Sequence, residues 1–376
     1  MRDTRSIREL IQCQRAGWSL EQRFYTDPEI YAIELDRILT RNWIFVGHQS
    51  QLAENGDYLV ANVANESAIV VRTVNGDIRA FANVCRHRGS IVCLEQRGNT
   101  RKFQCPYHGW MYDTEGKLIA ARNMPDGFDQ VSRGLHALPL EVVHGLIFIC
   151  FCDDPPGMEP ARRKLTEPLA MFDFQNMKVA AQKTYPIAAN WKLAVENYCE
   201  GYHLPFIHPG LNSYSRLEDH YNIEAPGMFS GQGTTVYNPQ LDPDGRRFQD
   251  FPDMPEKWDG AAEYVALYPN ALLGVHRDHV FAMILMPQDV ARTEENVAIY
   301  YADATMTGAA RADLRARNAA VWRAIFEEDI GVVEGMQQGR AGRAFDGGVF
   351  SPVMDGPTHC FHRWAAEMIT RGGASA

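Results

Sequence analysis

Residues Asn190 to Leu211 read Asn-Trp-Lys-Leu-Ala-Val-Glu-Asn-Tyr-Cys-Glu-Gly-Tyr-His-Leu-Pro-Phe-Ile-His-Pro-Gly-Leu, and they place two imidazoles, His203 and His208, five positions apart. Glu200 stands three residues before the first, so on a helix its carboxylate and His203 would share a face. Pro205 lacks an amide proton and disfavours helix at the residue before it, so the helix is expected to end by Leu204. His208 then swings in from a bent segment, which lets two histidines spaced by five converge on one ion. The same residues also fit a plainer reading, histidines near a helix end. Two His and one carboxylate on Fe(II) would leave positions open for O2 and substrate. A carboxylate is still required to complete such a set.

A second constellation is Cys85-Arg86-His87 followed, after seventeen intervening residues, by Cys105-Pro106-Tyr107-His108-Gly109-Trp110. One Cys and one His from each of two loops form a two-sulfur, two-nitrogen set suited to Zn or to an iron–sulfur cluster. The pairing Cys-x-His with Cys-x-x-His matches a Rieske [2Fe–2S] centre, where thiolates hold the buried ferric iron and imidazoles the outer, reducible one. A structural Zn site would accept the same four residues. Gly89 and Gly109 are expected to serve close loop packing, Trp110 to shield the site, and Cys93 to be a spare buried thiol.

The elements that must hold these groups fall into three stretches. Residues 1–40 carry helical patterns, with Ile7, Leu10 and Ile11 on one face and Asp27-Pro28 opening a second segment, and read as an arm packed on the catalytic part. From Trp43 the apolar period becomes two, with β-rich runs at 58–63, 68–73 and 78–81 and Asn-Gly-Asp turn signals at 55–57 and 75–77. An antiparallel β domain over 41–155 is expected, bounded by Asp153-Asp154-Pro155-Pro156-Gly157. Residues 156–376 read as a second, α+β domain: a helix at 162–172, a strand at 178–186 leading into the Asn190 helix, and alternating strands from Tyr221 to Tyr301. A long helix over 308–338 follows, carrying Leu314, Val321, Ile325 and Ile330, and then a frayed tail at 372–376.

The chain has 376 residues, 45% of them hydrophobic, enough for a substantial core. A net charge of -10 argues against general affinity for nucleic acid or anionic membrane. The amino terminus is charged and lacks the apolar core of a signal peptide, and the longest apolar run, Leu146 to Cys152, is far too short to span a bilayer. A soluble cytoplasmic protein is expected. Eight cysteines are too sparse for a disulfide scaffold. No Gly-x-Gly-x-x-Gly turn is present, so reducing equivalents from a dinucleotide would need a separate partner.

Cys85/His87/Cys105/His108 and Glu200/His203/His208 occur in the order and spacing of one family. Over residues 40–340 the chain resembles the oxygenase α subunits of Rieske non-haem iron oxygenases, the aromatic-ring-hydroxylating dioxygenase group in the broad sense. The resemblance implies an antiparallel β Rieske domain carrying [2Fe–2S], then a helix-grip catalytic domain carrying mononuclear Fe(II). It selects Asp329 as the third iron ligand, because a Gln-x-Gly ending follows at 337–339, and leaves Glu327 and Glu328 as a solvated face. Most members carry Asp where this chain has Glu200. By resemblance Glu200 bridges His203 of its own chain to His108 of a partner subunit, which implies a head-to-tail homotrimer. Members with Glu there look like those acting on carnitine, glycine betaine and proline betaine. The implied reaction hydroxylates an N-methyl group with O2 and electrons from NADH or NADPH, delivered by a flavin and iron–sulfur reductase, and ends in N-demethylation. The alternative is (di)hydroxylation of an aromatic carboxylate. Phe229, Tyr237, Trp258, Tyr264, Tyr268 and Phe281 are candidates for a cage around a methylated ammonium.

Overall fold

The computed structural model describes residues 5–159, 162, 169, 172–242 and 244–371, so the helix expected at 162–172 lies mostly, and the tail at 372–376 wholly, outside the described residues. The chain divides into two compact units, Thr40–Met158 and Met1–Leu39 with Glu159–Ala376. Among the described residues no helix is long and apolar enough to cross a membrane.

In the first unit, strands Arg97–Asn99, Asp57–Val63, Glu66–Arg72, Ile78–Ala82 and Ala137–Leu138 form an antiparallel sheet in that order. Alternation along the strands turns Ile69, Val71 and Phe81 inward. There they meet Phe103 and Tyr112 from the smaller sheet Lys102–Gln104, Met111–Asp113, Leu118–Ala120 and Trp110 from the loop before its second strand, and Cys85 and Cys105 are buried in the same core. The Asn75-Gly76 turn closes one hairpin, with Gly76 at φ 89°. The expected turn at 55–57 instead precedes the first long strand, and the hairpin closes at Ala64, which takes φ 48°. Gly56 is required for another reason: a Cβ there would lie 2.5 Å from Thr100 O.

In the second unit a seven-stranded antiparallel sheet runs Lys178–Ile187, Arg292–Tyr301, His279–Asp289, Ala271–His276, Ala262–Leu267, Phe229–Thr234, His220–Ala225. Three helices pack against it: the central helix Trp191–Cys199, the long helix Ala312–Ala341 and the last helix Gly356–Thr370. The long helix buries Leu314, Trp322, Ile325, Phe326, Val333 and Gln337. Val321 and Ile330, expected on that face, are only half-buried, because the stripe is centred on Trp322 and Phe326. Residues 5–39 pack within this unit. Their helix Pro28–Glu34 is capped by Asp27, which accepts from Glu29 N at 2.9 Å, with Pro28 in the first turn where its missing N–H costs nothing.

Candidate metal centres

The two Cys-His loops are built as matching turns. Cys85 O accepts from Gly89 N and Cys105 O from Gly109 N, each at 3.0 Å. Gly89 and Gly109 sit at φ 74° and 72°. A Cβ would meet nothing within 4 Å at Gly89, and only Gln104 Nε2 at 3.8 Å at Gly109. The glycines are therefore present for left-handed backbone, not for the close packing expected from sequence. The turns bury both sulfurs and leave His87 and His108 exposed, with their Nδ1 atoms 3.2 Å apart. Burial raises the Cys85 thiol, and a hydrogen bond from Tyr112, whose Oη lies 3.3 Å from Sγ, opposes it. That hydroxyl already accepts from Arg86 N, so its own proton is free for the sulfur. Trp110 stacks on His87 at 4.8 Å and 13° and covers one side. Cys93 is only half-buried and faces Glu95 O. Two buried sulfurs and two close imidazole nitrogens are a donor set that could hold a [2Fe–2S] cluster.

At the other constellation the central helix stops at Cys199, five residues sooner than expected. Glu200 is extended, at φ -124° and ψ 156°, so it does not share a helical face with His203. The cause lies in the sheet: Gln232 Nε2 donates to Glu200 O at 2.9 Å, and a Cβ at Gly201 would stand 2.4 Å from Gln232 Oε1. The Glu200 carboxylate folds forward instead, accepting from the amides of Tyr202 and His203 and from His203 Nδ1 at 2.6 Å. His208 follows the single turn Leu204–Ile207 with non-helical angles, φ -118° and ψ 57°. Asp329 arrives from the long helix. One ligand atom each from His203, His208 and Asp329 lie within 4.8 Å of one another.

The structure adds to the reading of Glu328. It is exposed, as a solvated face requires, yet its Oε2 lies 2.7 Å from His208 Nδ1, so it is also a partner of that imidazole. Glu327 does face outward, paired with Lys183 Nζ at 2.6 Å. With a carboxylate on each Nδ1, both imidazoles carry their proton there, and both Nε2 atoms present lone pairs. These lone pairs face Asp329 Oδ1 at 3.8 Å from His203 and 3.0 Å from His208. Asp329 Oδ1 is buried and has no hydrogen-bond donor among the described residues. In that tautomer three acceptors converge, and such a set fits a cation such as Fe(II). Burial alone would lower the His208 pKa, but Asp329 and Glu328 outweigh it and hold it above the usual value, so positive charge is favoured at this point.

These groups open on a cavity. The long helix contributes Trp322, Ile325, Phe326 and Asp329, whose spacing puts them on one face. The sheet adds Tyr264, Phe281 and Met283, and the central helix Tyr198. Gly274 makes room for the Phe281 ring, which would lie 2.2 Å from a Cβ there. Among the described lining residues there is no Lys or Arg. Tyr198 Oη is buried without a partner among the described residues, a free donor for a bound oxygen atom. Glu295, buried on its strand, is pushed up to about 8 by burial and then by Asp329.

Of the six aromatics expected in a cage, Tyr264 and Phe281 line the cavity. Tyr237 lies behind Trp322, stacked at 6.3 Å, while Trp258 packs on Phe172 and Tyr268 on Trp364. Phe229 is not among the lining residues. Tyr198, Trp322 and Phe326 were missed. The signal for the last two was their position seven and three residues before Asp329, on its side of the helix.

The sequence model described as "Ring hydroxylating alpha subunit (catalytic domain)" matches residues 174–371. The chain belongs to this family. A Rieske [2Fe-2S] domain matches residues 42–138, so this ring-hydroxylating alpha subunit has a cluster-binding β domain ahead of a catalytic domain of the class that carries mononuclear iron. It is 37% identical over 213 residues to the glycine betaine monooxygenase oxygenase subunit of Chromohalobacter salexigens, covering 56% of this chain and 48% of that relative. To the carnitine monooxygenase oxygenase subunit of Escherichia coli K12 it is 28% identical over 338 residues, covering 88% and 86%. The matched stretch thus spans about half the length of the glycine betaine relatives. A solved quaternary ammonium Rieske monooxygenase shares the fold of this alpha subunit, with a TM-score of 0.80, 21% identity and coverage of 98% and 99%.

Proposed function

We propose that this alpha subunit is the terminal oxygenase of an N-demethylating system acting on a quaternary or methylated amine of the betaine type. The observation that carries this reading is the cavity beside His203, His208 and Asp329. It is walled by Tyr264, Phe281, Trp322 and Phe326, carries Asp329 at its edge, and has no Lys or Arg among its described lining. Each ring face can attract an ammonium by ~0.5–2 kcal/mol. An aromatic carboxylate, the alternative substrate, would want the Lys or Arg that this described lining lacks. Relatives named for glycine betaine and carnitine support the same class.

In this reading Cys85, His87, Cys105 and His108 hold the [2Fe–2S] cluster, and His203, His208 and Asp329 hold Fe(II). When bound, the cluster supplies single electrons and the mononuclear iron supplies the place where O2 is activated. The chain's own residues do the rest. Glu200 and Glu328 orient the imidazoles through their Nδ1 protons. The aromatic walls seat the ammonium and exclude water, and Tyr198 Oη donates to an oxygen of the substrate. One oxygen atom enters a methyl C–H bond, and the other leaves as water with two protons and two electrons. The electrons come from NADH or NADPH through a separate flavin and iron–sulfur reductase. The resulting hemiaminal breaks its C–N bond, releasing formaldehyde, a proton and the tertiary amine. Glu200 also accepts a hydrogen bond from a partner subunit's His108 in a homotrimer. The eight free cysteines suit a reducing cytoplasm.

The test is a panel of betaines and aromatic acids with reductase and NADH, read by formaldehyde and product. Betaine-dependent formaldehyde is expected. Turnover of aromatic acids alone overturns the proposal.

A further inference from the structure

Among the described Trp, Tyr and Phe rings that line the cavity, Trp322 has its N–H tied to a His–Asp pair. Its Nε1–H donates to His279 Nε2 at 2.8 Å, and His279 Nδ1 lies 2.6 Å from Asp278 Oδ1. An indole can only donate, so His279 Nε2 must be the acceptor, and the ring is then neutral with its proton on Nδ1, given to the carboxylate. All three residues are buried: Trp322 and His279 are 1% exposed and Asp278 8%. His276 stacks on His279 at 4.4 Å and 5°, and burial keeps it far below its usual pKa, so it adds no positive charge. The nearby Arg246, Arg247 and Arg277 pair with other acids, Asp242, Asp313 and Asp250.

We infer that Asp278, acting through His279, tunes the Trp322 ring to recognise a cation. A hydrogen bond to an anion-backed acceptor draws the indole proton away and leaves more electron density on the ring, and in a dry site such polarisation passes along the chain of bonds. A more negative ring face attracts an ammonium more strongly. The geometry suits this use. Trp322 stands seven residues before Asp329, about 10 Å along the helix. Both line one cavity with His203 and His208, so an ammonium held in that cavity against the ring has the three ligands on the same cavity wall. Phe281 and Phe326, at 4.5 and 5.8 Å from Trp322, have no polar atom to tune. Trp322 is thus a specificity-determining residue, and Asp278 and His279 are positioning residues behind it.

This inference rests on the proposed cationic substrate, and its test separates the two. Binding of glycine betaine and of its uncharged-head isostere, 3,3-dimethylbutanoate, is measured by anaerobic calorimetry on the iron-loaded protein. Asp278→Asn keeps an acceptor for His279 but removes the charge, and is expected to weaken betaine binding by about threefold to tenfold and leave the isostere unchanged. In a Trp322→Phe background, which has no N–H, Asp278→Asn is expected to have no further effect on either ligand. Equal weakening of both ligands, or the same loss in the Trp322→Phe background, overturns the relay while the substrate class stands. A wild-type protein that does not prefer the ammonium over its isostere overturns both.

Discussion

Two histidines in this protein share one arrangement, each with a carboxylate on Nδ1 and its Nε2 turned to Asp329. His203 takes Glu200 at 2.6 Å and His208 takes Glu328 at 2.7 Å. Such outer carboxylates fix the ring and raise its basicity toward a metal. Glu328→Ala is therefore expected to lower iron affinity at this site by about 10–100-fold, with Glu328→Gln, which still accepts, losing less. Iron content after dialysis against a graded chelator measures it, and the visible spectrum of the cluster should not change. Glu200→Ala should likewise keep that spectrum but lose coupled turnover, and full activity in that variant would remove the bridge. Glu200 stood out from sequence because its partner is three residues away. Glu328 did not, because His208 reaches it from 120 positions off, and helix spacing says nothing about which loop lies opposite.

At the scale of elements, the central helix is anchored by a buried ion pair. Lys192 Nζ lies 2.7 and 2.8 Å from the two oxygens of Glu34 on the helix Pro28–Glu34, and Trp191 Nε1 donates to the same acid at 3.1 Å. Both side chains of the pair are fully buried. Burial pushes Glu34 up and Lys192 down, and the pairing opposes each shift. Removing one partner strands the other's charge. Lys192→Met should cost about 3–5 kcal/mol in urea unfolding, and adding Glu34→Leu should return most of it, since a packed apolar pair of similar size is tolerated. Unfolding of the double variant at the same urea concentration as Lys192→Met would contradict this. The Asp27-Pro28 start of that arm helix was readable, being a local cap. The end of the central helix at Cys199 was not, because the side chain that fixes it, Gln232, belongs to a strand.

Across the whole second unit, Glu196 ties together four segments. It bonds Arg340 Nη2 at 2.6 Å, His362 Nε2 at 2.8 Å and Tyr25 Oη at 2.6 Å. Burial alone would raise its pKa, but Arg340 and then His362 outweigh it and hold the acid well below the usual carboxylate range. A depressed acid contributes stability that is complete above its unfolded pKa, about 4.3, and is lost as pH falls toward the folded value. The melting temperature should accordingly fall below about pH 4, and Glu196→Gln should melt lower at neutral pH but with a shallower acid slope. An unchanged acid slope would mean that this cluster does not control acid unfolding.

From sequence alone came what is set by short stretches of chain. The pairs Cys85/His87 and Cys105/His108, the spacing of His203 and His208, the change from period two to helical period, and the acid at 200 are all properties of neighbours, and local backbone geometry carries them into space. The resemblance those motifs carry selected Asp329 among three adjacent acids. Only the tertiary structure brought Asp329 beside the two imidazoles, paired Glu328 with His208, stopped the central helix at Cys199, and set Trp322 between the cavity and the His279–Asp278 pair. Those contacts join segments far apart in the chain. Their pairing depends on how sheet and helices close over one another, and no spacing along the sequence encodes that.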